Sequence, residues 1–118
     1  MLHSVVYIDD DPLEHRLVSR LLERDGRFDV RCFLSVADAV PAVRDDPPGI
    51  VLLDSRIPPE NDYRHSVAAL RSFGITSQIV VVSSVLSPLG RPQESDLQFF
   101  EKDDVTADML ADIIARQS

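Results

Sequence analysis

Four apolar runs in this sequence end in polar residues whose types could do chemistry together. V-V-Y-I (5–8) runs into Asp9, Asp10 and Asp11, and I-V-L-L (50–53) runs into Asp54. I-V-V-V (79–82) runs into Ser83 and Ser84, and L-Q-F-F (97–100) is followed by Glu101 and Lys102. Carboxylates held a few ångströms apart raise each other's pKa and are costly to bury. A hard divalent cation with oxygen ligands resolves that conflict, and Mg²⁺ characteristically takes one or two carboxylates, water and a phosphate. A carboxylate beside such an ion can also act as a nucleophile and form an aspartyl phosphate. The transferring phosphoryl group spreads charge over its equatorial oxygens, so it calls for a cation and a hydroxyl donor besides the metal. Lys102 and Ser83 are residues of those types. Taken singly, each has a plainer reading: a strand-end Asp as a helix cap or turn residue, a serine opening a loop, a lysine on the surface. The joint pattern, each member following an apolar run, is what points to a site.

The elements that must position these residues alternate along the chain. S-V-V-Y-I (4–8) is continuously apolar, as befits a strand buried on both faces. Leu17, Val18, Leu21 and Leu22 then form a helical stripe expected to face inward, with Glu14, Arg16, Arg20, Glu23 and Arg24 outside it. Pro12 suits the first turn of that helix and Gly26 its end. F-D-V-R-C-F (28–33) alternates like an edge strand, and S-V-A-D (35–38) has capping-box spacing and opens a short helix that Pro41 disturbs if it lies inside. A third strand at 50–53, a helix from about Ser66 to Phe73, a strand at 79–82 and a short strand at 97–100 follow. The last element is a helix over 106–116 with Met109, Leu110, Ile113 and Ile114 inward. This alternation predicts an α/β fold, a doubly wound five-stranded parallel sheet with helices on both faces. Ligands in such sheets sit at the carboxyl ends of the strands, at the topological switch point, so all the residues above would share one rim.

Composition bounds the rest. The chain has 118 residues, 44% hydrophobic and 27% charged, which fits one globular domain spanning residues 1–118. Its net charge is −8 with no Lys/Arg cluster, which argues against nucleic acid as a partner. No stretch reaches the roughly 20 apolar residues of a membrane span, and the N-terminus lacks the features of a signal peptide. The one cysteine, Cys32, reads as a small core residue and fits a cytoplasmic location. His3, His15 and His65 are not expected to gather near the acids, and no zinc spacing, P-loop, G-x-S-x-G or dinucleotide fingerprint is present.

The acidic pair in V-V-Y-I-D-D-D, the aspartate in I-V-L-L-D-S-R-I-P, the hydroxyl in I-V-V-V-S-S and the lysine in F-F-E-K together resemble the receiver domain of two-component response regulators, over essentially the whole chain. The resemblance implies a (βα)₅ flavodoxin-like fold that takes a phosphoryl group from a histidine kinase or a histidine phosphotransferase. It implies Asp54 as phosphoacceptor and Mg²⁺ as cofactor. Asp10 would bind the metal directly, Asp9 directly or through water, and the backbone carbonyl of Arg56 would be a further ligand. Ser83 would bond one phosphoryl oxygen and Lys102 would pair with another. Pro58 falls where the family usually has proline. Phe99 falls where an aromatic side chain moves inward with the hydroxyl residue. Asp11 reads as the cap of the first helix. A register shifted by one would make the pair Asp10 and Asp11 instead.

Several positions depart from that pattern. The glycine usual soon after the acceptor is absent, so Asn61 or Asp62 must take the turn. Asp103 stands where a proline after a cis bond is usual, so either strain is held there or the loop differs. Residues 85–96 contain Pro88, Gly90 and Pro92 where the family's fourth helix belongs, which predicts a shortened, distorted or mobile helix.

The leading expectation is a stand-alone receiver, not a turnover enzyme, since the sequence closes after the last helix without an output domain. Its protein target and its role as relay, sink or output stay open. One alternative is a pseudo-receiver, a binding module that is never phosphorylated; the missing glycine and Asp103 favour it. Another is a haloacid-dehalogenase-like phosphatase, because Asp9 and Asp11 have its D-x-D spacing. That reading would make Asp9 the nucleophile, but it leaves Asp54 unexplained and has Leu13 at a position usually Thr or Val.

Overall fold

Alternating apolar runs and amphipathic stretches build a five-stranded sheet flanked by helices. A computed structural model describes residues 2–57, 62–83 and 97–116. The strands are β1 (His3–Ile8), β2 (Phe28–Phe33), β3 (Ile50–Asp54), β4 (Gln78–Ser83) and β5 (Leu97–Glu101). The helices among the described residues are α1 (Pro12–Asp25), α2 (Val36–Asp45), α3 (Tyr63–Ser72) and α4 (Ala107–Ala115). The sheet order is β2-β1-β3-β4-β5 and every pairing is parallel. The expected doubly wound fold is therefore present, with the edge strand where F-D-V-R-C-F predicts it. The segment expected to carry an irregular fourth helix lies outside the described residues, as do Pro58, Asn61 and Ser84.

Side-chain alternation along the strands sorts the core into two layers. Val6, Ile8, Val51, Leu53, Ile79 and Val81 pack under α2 and α3. Val5, Tyr7, Ile50, Leu52, Val80 and Val82 pack under α1 and α4. Burying each aliphatic side chain contributes about 1.5–3 kcal/mol, which is why continuous runs such as I-V-L-L can only be central strands.

The helix ends follow local chemistry. Asp11 caps α1 by accepting the Leu13 N–H at 3.0 Å, Pro12 fills the first helical position, and Gly26 closes the helix at φ 87°. Ser35 caps α2 through the Asp38 N–H and Thr106 caps α4 through the Met109 N–H, both at 3.1 Å. Pro41 lies inside α2 without ending it. It faces solvent, where its missing N–H can be tolerated. Asp11→Ala is expected to cost about 1 kcal/mol, read as a lower urea midpoint at unchanged slope.

Two expectations are corrected. Leu22 is buried, but Leu17 and Leu21 are 54% and 44% exposed. With Leu13 they form an exposed i, i+4, i+8 ridge, of which Leu17 and Leu21 border a groove beside Tyr7, Leu52 and Val82. Helix α1 turns its Val18–Leu22 side inward, and the four-residue stripe was broader than the contact. Asp62 does not take a left-handed turn: its φ is −135°, and its carboxylate caps α3 by accepting the Arg64 N–H at 2.9 Å. Asp103 sits in a 3₁₀ turn, Lys102–Asp104, closed by the Val105 N–H donating to the Lys102 carbonyl.

Candidate functional site

Strand order places the site. The chain leaves β1 toward β2 on one side and returns as β3 on the other, so the switch point falls between the carboxyl ends of β1 and β3. Register pairs Ile8 with Leu53, which sets Asp9 and Asp54 side by side at that point. Asp54 pairs with Val82, and Ser83 with Glu101. The acids, Ser83 and Lys102 thus share the rim that the sequence predicts.

One ligand oxygen each from Asp9, Asp10 and Asp54 lies within 4.8 Å of the others. The pair that joins Asp54 is therefore Asp9 and Asp10, while Asp11 is occupied as the α1 cap. The acids line an open cleft of about 420 Å³ together with Asp11, Pro12, Ser55, Arg56 and Lys102. Among the described residues Ser83 stands on the rim next to this cleft rather than in its lining.

Lys102 is the hinge of the electrostatics. Its ammonium lies 3.1 Å from Asp9 Oδ2, 3.2 Å from Asp54 Oδ1 and 3.9 Å from Glu14 Oε1. Burial alone would lower its pKa, yet the carboxylates of Asp9 and Asp54 outweigh that and hold it above the ordinary lysine value. Asp54 moves the same way for opposite reasons. Burial, then the charge of Asp9, pushes its carboxyl above the usual range, and Lys102 and the Arg56 N–H only partly offset them. The cleft therefore carries more negative charge than its lysine neutralises. Clustered hard oxygen donors with that surplus suit a small divalent cation.

Asp9 is almost fully enclosed, at 1% exposure, and its carboxylate accepts three hydrogen bonds, which leaves acceptor capacity for a further partner. Oδ1 accepts the Asp11 N–H at 3.0 Å, and Oδ2 accepts both Lys102 and the Tyr7 hydroxyl, the latter at 2.5 Å. His15 also stands here, against expectation. Its Nε2 lies 2.6 Å from the Asp9 carbonyl, and since a carbonyl only accepts, Nε2 carries the proton. That bond is possible because α1 returns His15, one turn in, over the strand end it has just left. The His15 ring meets Tyr7 edge-on at 5.6 Å. Tyr7, His15 and Glu14 were missed by sequence reasoning. The one available signal was the hydroxyl of Tyr7 two residues before Asp9, on the same face of the strand.

Phe99 is half-buried in the α2/α3 layer, its ring edge-on to Tyr63 at 5.2 Å. Phe100 takes the other layer. Cys32 is half-buried beside Ser19 at 3.3 Å, with burial pushing its thiol pKa up, which agrees with a packing role. No helix among the described residues is long and apolar enough to cross a membrane.

The fold is that of response-regulator receiver domains. A signal receiver domain of a response regulator designated NarL from Mycobacterium tuberculosis is 24% identical, with 97% of both chains covered and a TM-score of 0.74. A CheY-like receiver domain from Methylobacillus flagellatus is 22% identical over 100% of both chains, with a TM-score of 0.77. The receiver domain of Francisella response regulator 1452 is 17% identical, covers 98% of this chain and 99% of its own, and superposes with a TM-score of 0.79. The sequence itself matches no family model and no curated protein.

Proposed function

We propose that residues 1–118 act as a response-regulator receiver domain in which Asp54 accepts a phosphoryl group from a phosphohistidine of a histidine kinase or histidine phosphotransferase. The observation that carries this reading is the Lys102 ammonium bridging Asp9 and Asp54 across the switch point, with Asp10 beside them. An Asp54 carboxylate oxygen attacks phosphorus, the P–N bond breaks, and its electron pair leaves with the imidazole of the donor. Asp9, Asp10, Asp54 and the Arg56 carbonyl would hold Mg²⁺, which when bound neutralises both the acids and the phosphoryl oxygens. Lys102 keeps its charge throughout and pairs with a phosphoryl oxygen. Ser83 lies one position beyond the register partner of Asp54 and supplies the hydroxyl donor. By strand alternation it shares a sheet face with Phe99, which supports the two moving together.

This reading makes the protein a cytoplasmic signalling partner rather than a turnover enzyme. The crowded Asp9 carboxylate, already accepting three donors, speaks against Asp9 as the nucleophile of a phosphatase. The test is incubation with a small phosphodonor and Mg²⁺, followed by intact mass and mapping of the modified residue. The expected result is one base-labile adduct on Asp54, lost in Asp54→Asn and with chelator. An adduct on Asp9 would instead indicate the phosphatase. If neither the small donor nor a panel of phosphorylated kinases and phosphotransferases modifies Asp54, the chain is a pseudo-receiver.

A further inference from the structure

We infer that Tyr7 is a positioning residue for the cation site: its hydroxyl fixes the carboxylate of Asp9 so that its orientation is set before any metal arrives. The inference rests on the receiver reading only in taking Mg²⁺ as the ion. Three observations carry it. Tyr7 is 1% exposed and its ring packs in the layer under α1 and α4. The hydroxyl donates to Asp9 Oδ2, the oxygen that also receives Lys102. The Asp9 backbone is pinned as well, its N–H donating to the Phe33 carbonyl at 3.1 Å and its carbonyl accepting from His15. His15 in turn packs on the Tyr7 ring.

The arrangement divides labour among the acids. Asp10 is exposed and free to reorient, whereas Asp9 is held at both ends. A carboxylate locked by an outer hydrogen bond loses little rotational freedom when it meets a cation, and deleting such outer partners typically weakens metal binding 10- to 100-fold. Without the Tyr7 hydroxyl, Oδ2 keeps only Lys102 and follows it when the lysine turns to another partner. The Asp9 carboxylate is then no longer set for the ion.

Tyr7→Phe removes the hydroxyl and leaves the ring. Calorimetric titration of the unphosphorylated protein with Mg²⁺ alone is expected to give a dissociation constant about tenfold higher than wild type. An unchanged or tighter constant overturns the inference. So does a lower melting temperature with unchanged Mg²⁺ affinity, which would make Tyr7 a packing residue only. Should Tyr7→Phe fail to fold, the wild type carries the test. The Tyr7 ring resonances must then shift through the Mg²⁺ titration with the calorimetric midpoint, and a silent ring overturns the inference. Because this experiment needs no phosphodonor, failure of the receiver reading shows separately. Mg²⁺ binding that depends on Tyr7, in a protein that never accepts phosphate on Asp54, would sink the latter and keep the former.

Discussion

Replacing Asp54 by asparagine is expected to stabilise the metal-free protein at neutral pH while abolishing acyl-phosphate formation. Asp54 is 7% exposed and stands beside Asp9. Its pKa is raised by burial and then by that neighbouring charge, and these outweigh the attraction of Lys102 3.2 Å away. A carboxyl whose folded pKa lies above its unfolded value, near 3.9, favours folding most below that unfolded value. The advantage is lost as pH rises through the folded pKa, so above it the ionised Asp54 is a burden on the fold. Asparagine keeps the shape and removes the charge. The stability difference between Asp54→Asn and wild type should therefore widen as pH rises from the unfolded value through the folded one, and stay flat above it. For a chain of this size each kcal/mol gained raises the melting temperature by about 4 °C. Thermal melts at several pH values without metal check this; an Asp54→Asn protein less stable than wild type at pH 7 would contradict it. Mg²⁺ should stabilise wild type more than the variant, since the ion relieves the same repulsion.

Lys102→Met carries the opposite expectation and a larger effect. The ammonium is the shared partner of Asp9 and Asp54, and removing it leaves two enclosed carboxylates facing each other. Breaking a buried pair by deleting one partner costs about 3–5 kcal/mol. The lysine side chain is 20% exposed, so solvent screening brings the expected loss below that range, to about 2–3 kcal/mol. That corresponds to a melting temperature roughly 10 °C lower. Because the lysine pKa is raised in the fold, its contribution is fully present below the unfolded value, near 10.4, and fades only as pH rises through the folded one. The deficit should thus persist across neutral pH and shrink in strong alkali. Mg²⁺ should recover part of it by replacing the missing charge, giving a larger metal-induced stabilisation than in wild type. Phosphorylation of Asp54 should slow about a hundredfold, as when one donor to a developing oxyanion is removed. A variant melting within a degree or two of wild type would show that the bridge contributes little.

The sheet and its rim were legible because they rest on short-range signals. Four-residue apolar runs admit few alternatives to buried parallel strands, and the polar residue after each run can only lie at a carboxyl end. Asp11, Pro12, Gly26 and Ser35 marked helix ends through backbone chemistry that neighbours decide. What sequence could not reach depends on how elements pack across the chain. Leu17 and Leu21 are as apolar as Leu22, and only the rotation of α1 against the sheet decides which is buried. His15 meets the Asp9 carbonyl because of the angle at which α1 leaves β1, and no spacing rule encodes that angle. Tyr7 looked like one more core residue in V-V-Y-I, since its hydroxyl matters only once Asp9 is known to turn back toward it. Asp62 could have served as turn or cap; the backbone chose the cap, where the dipole of α3 favours its charge.

The lysine–aspartate bridge joins residues 93 positions apart, and the cleft draws its acids from two further stretches between and beside them. No hairpin, single helix or isolated βα unit contains enough of the cleft to hold an ion. The cleft is therefore a property of the cooperative whole: a chain that has lost β5 from the sheet has also displaced Lys102, and one that has lost β3 has displaced Asp54. Occupancy of the cleft draws the population toward the state in which β1, β3 and β5 are aligned together, so this part of the molecule senses its own completeness of folding.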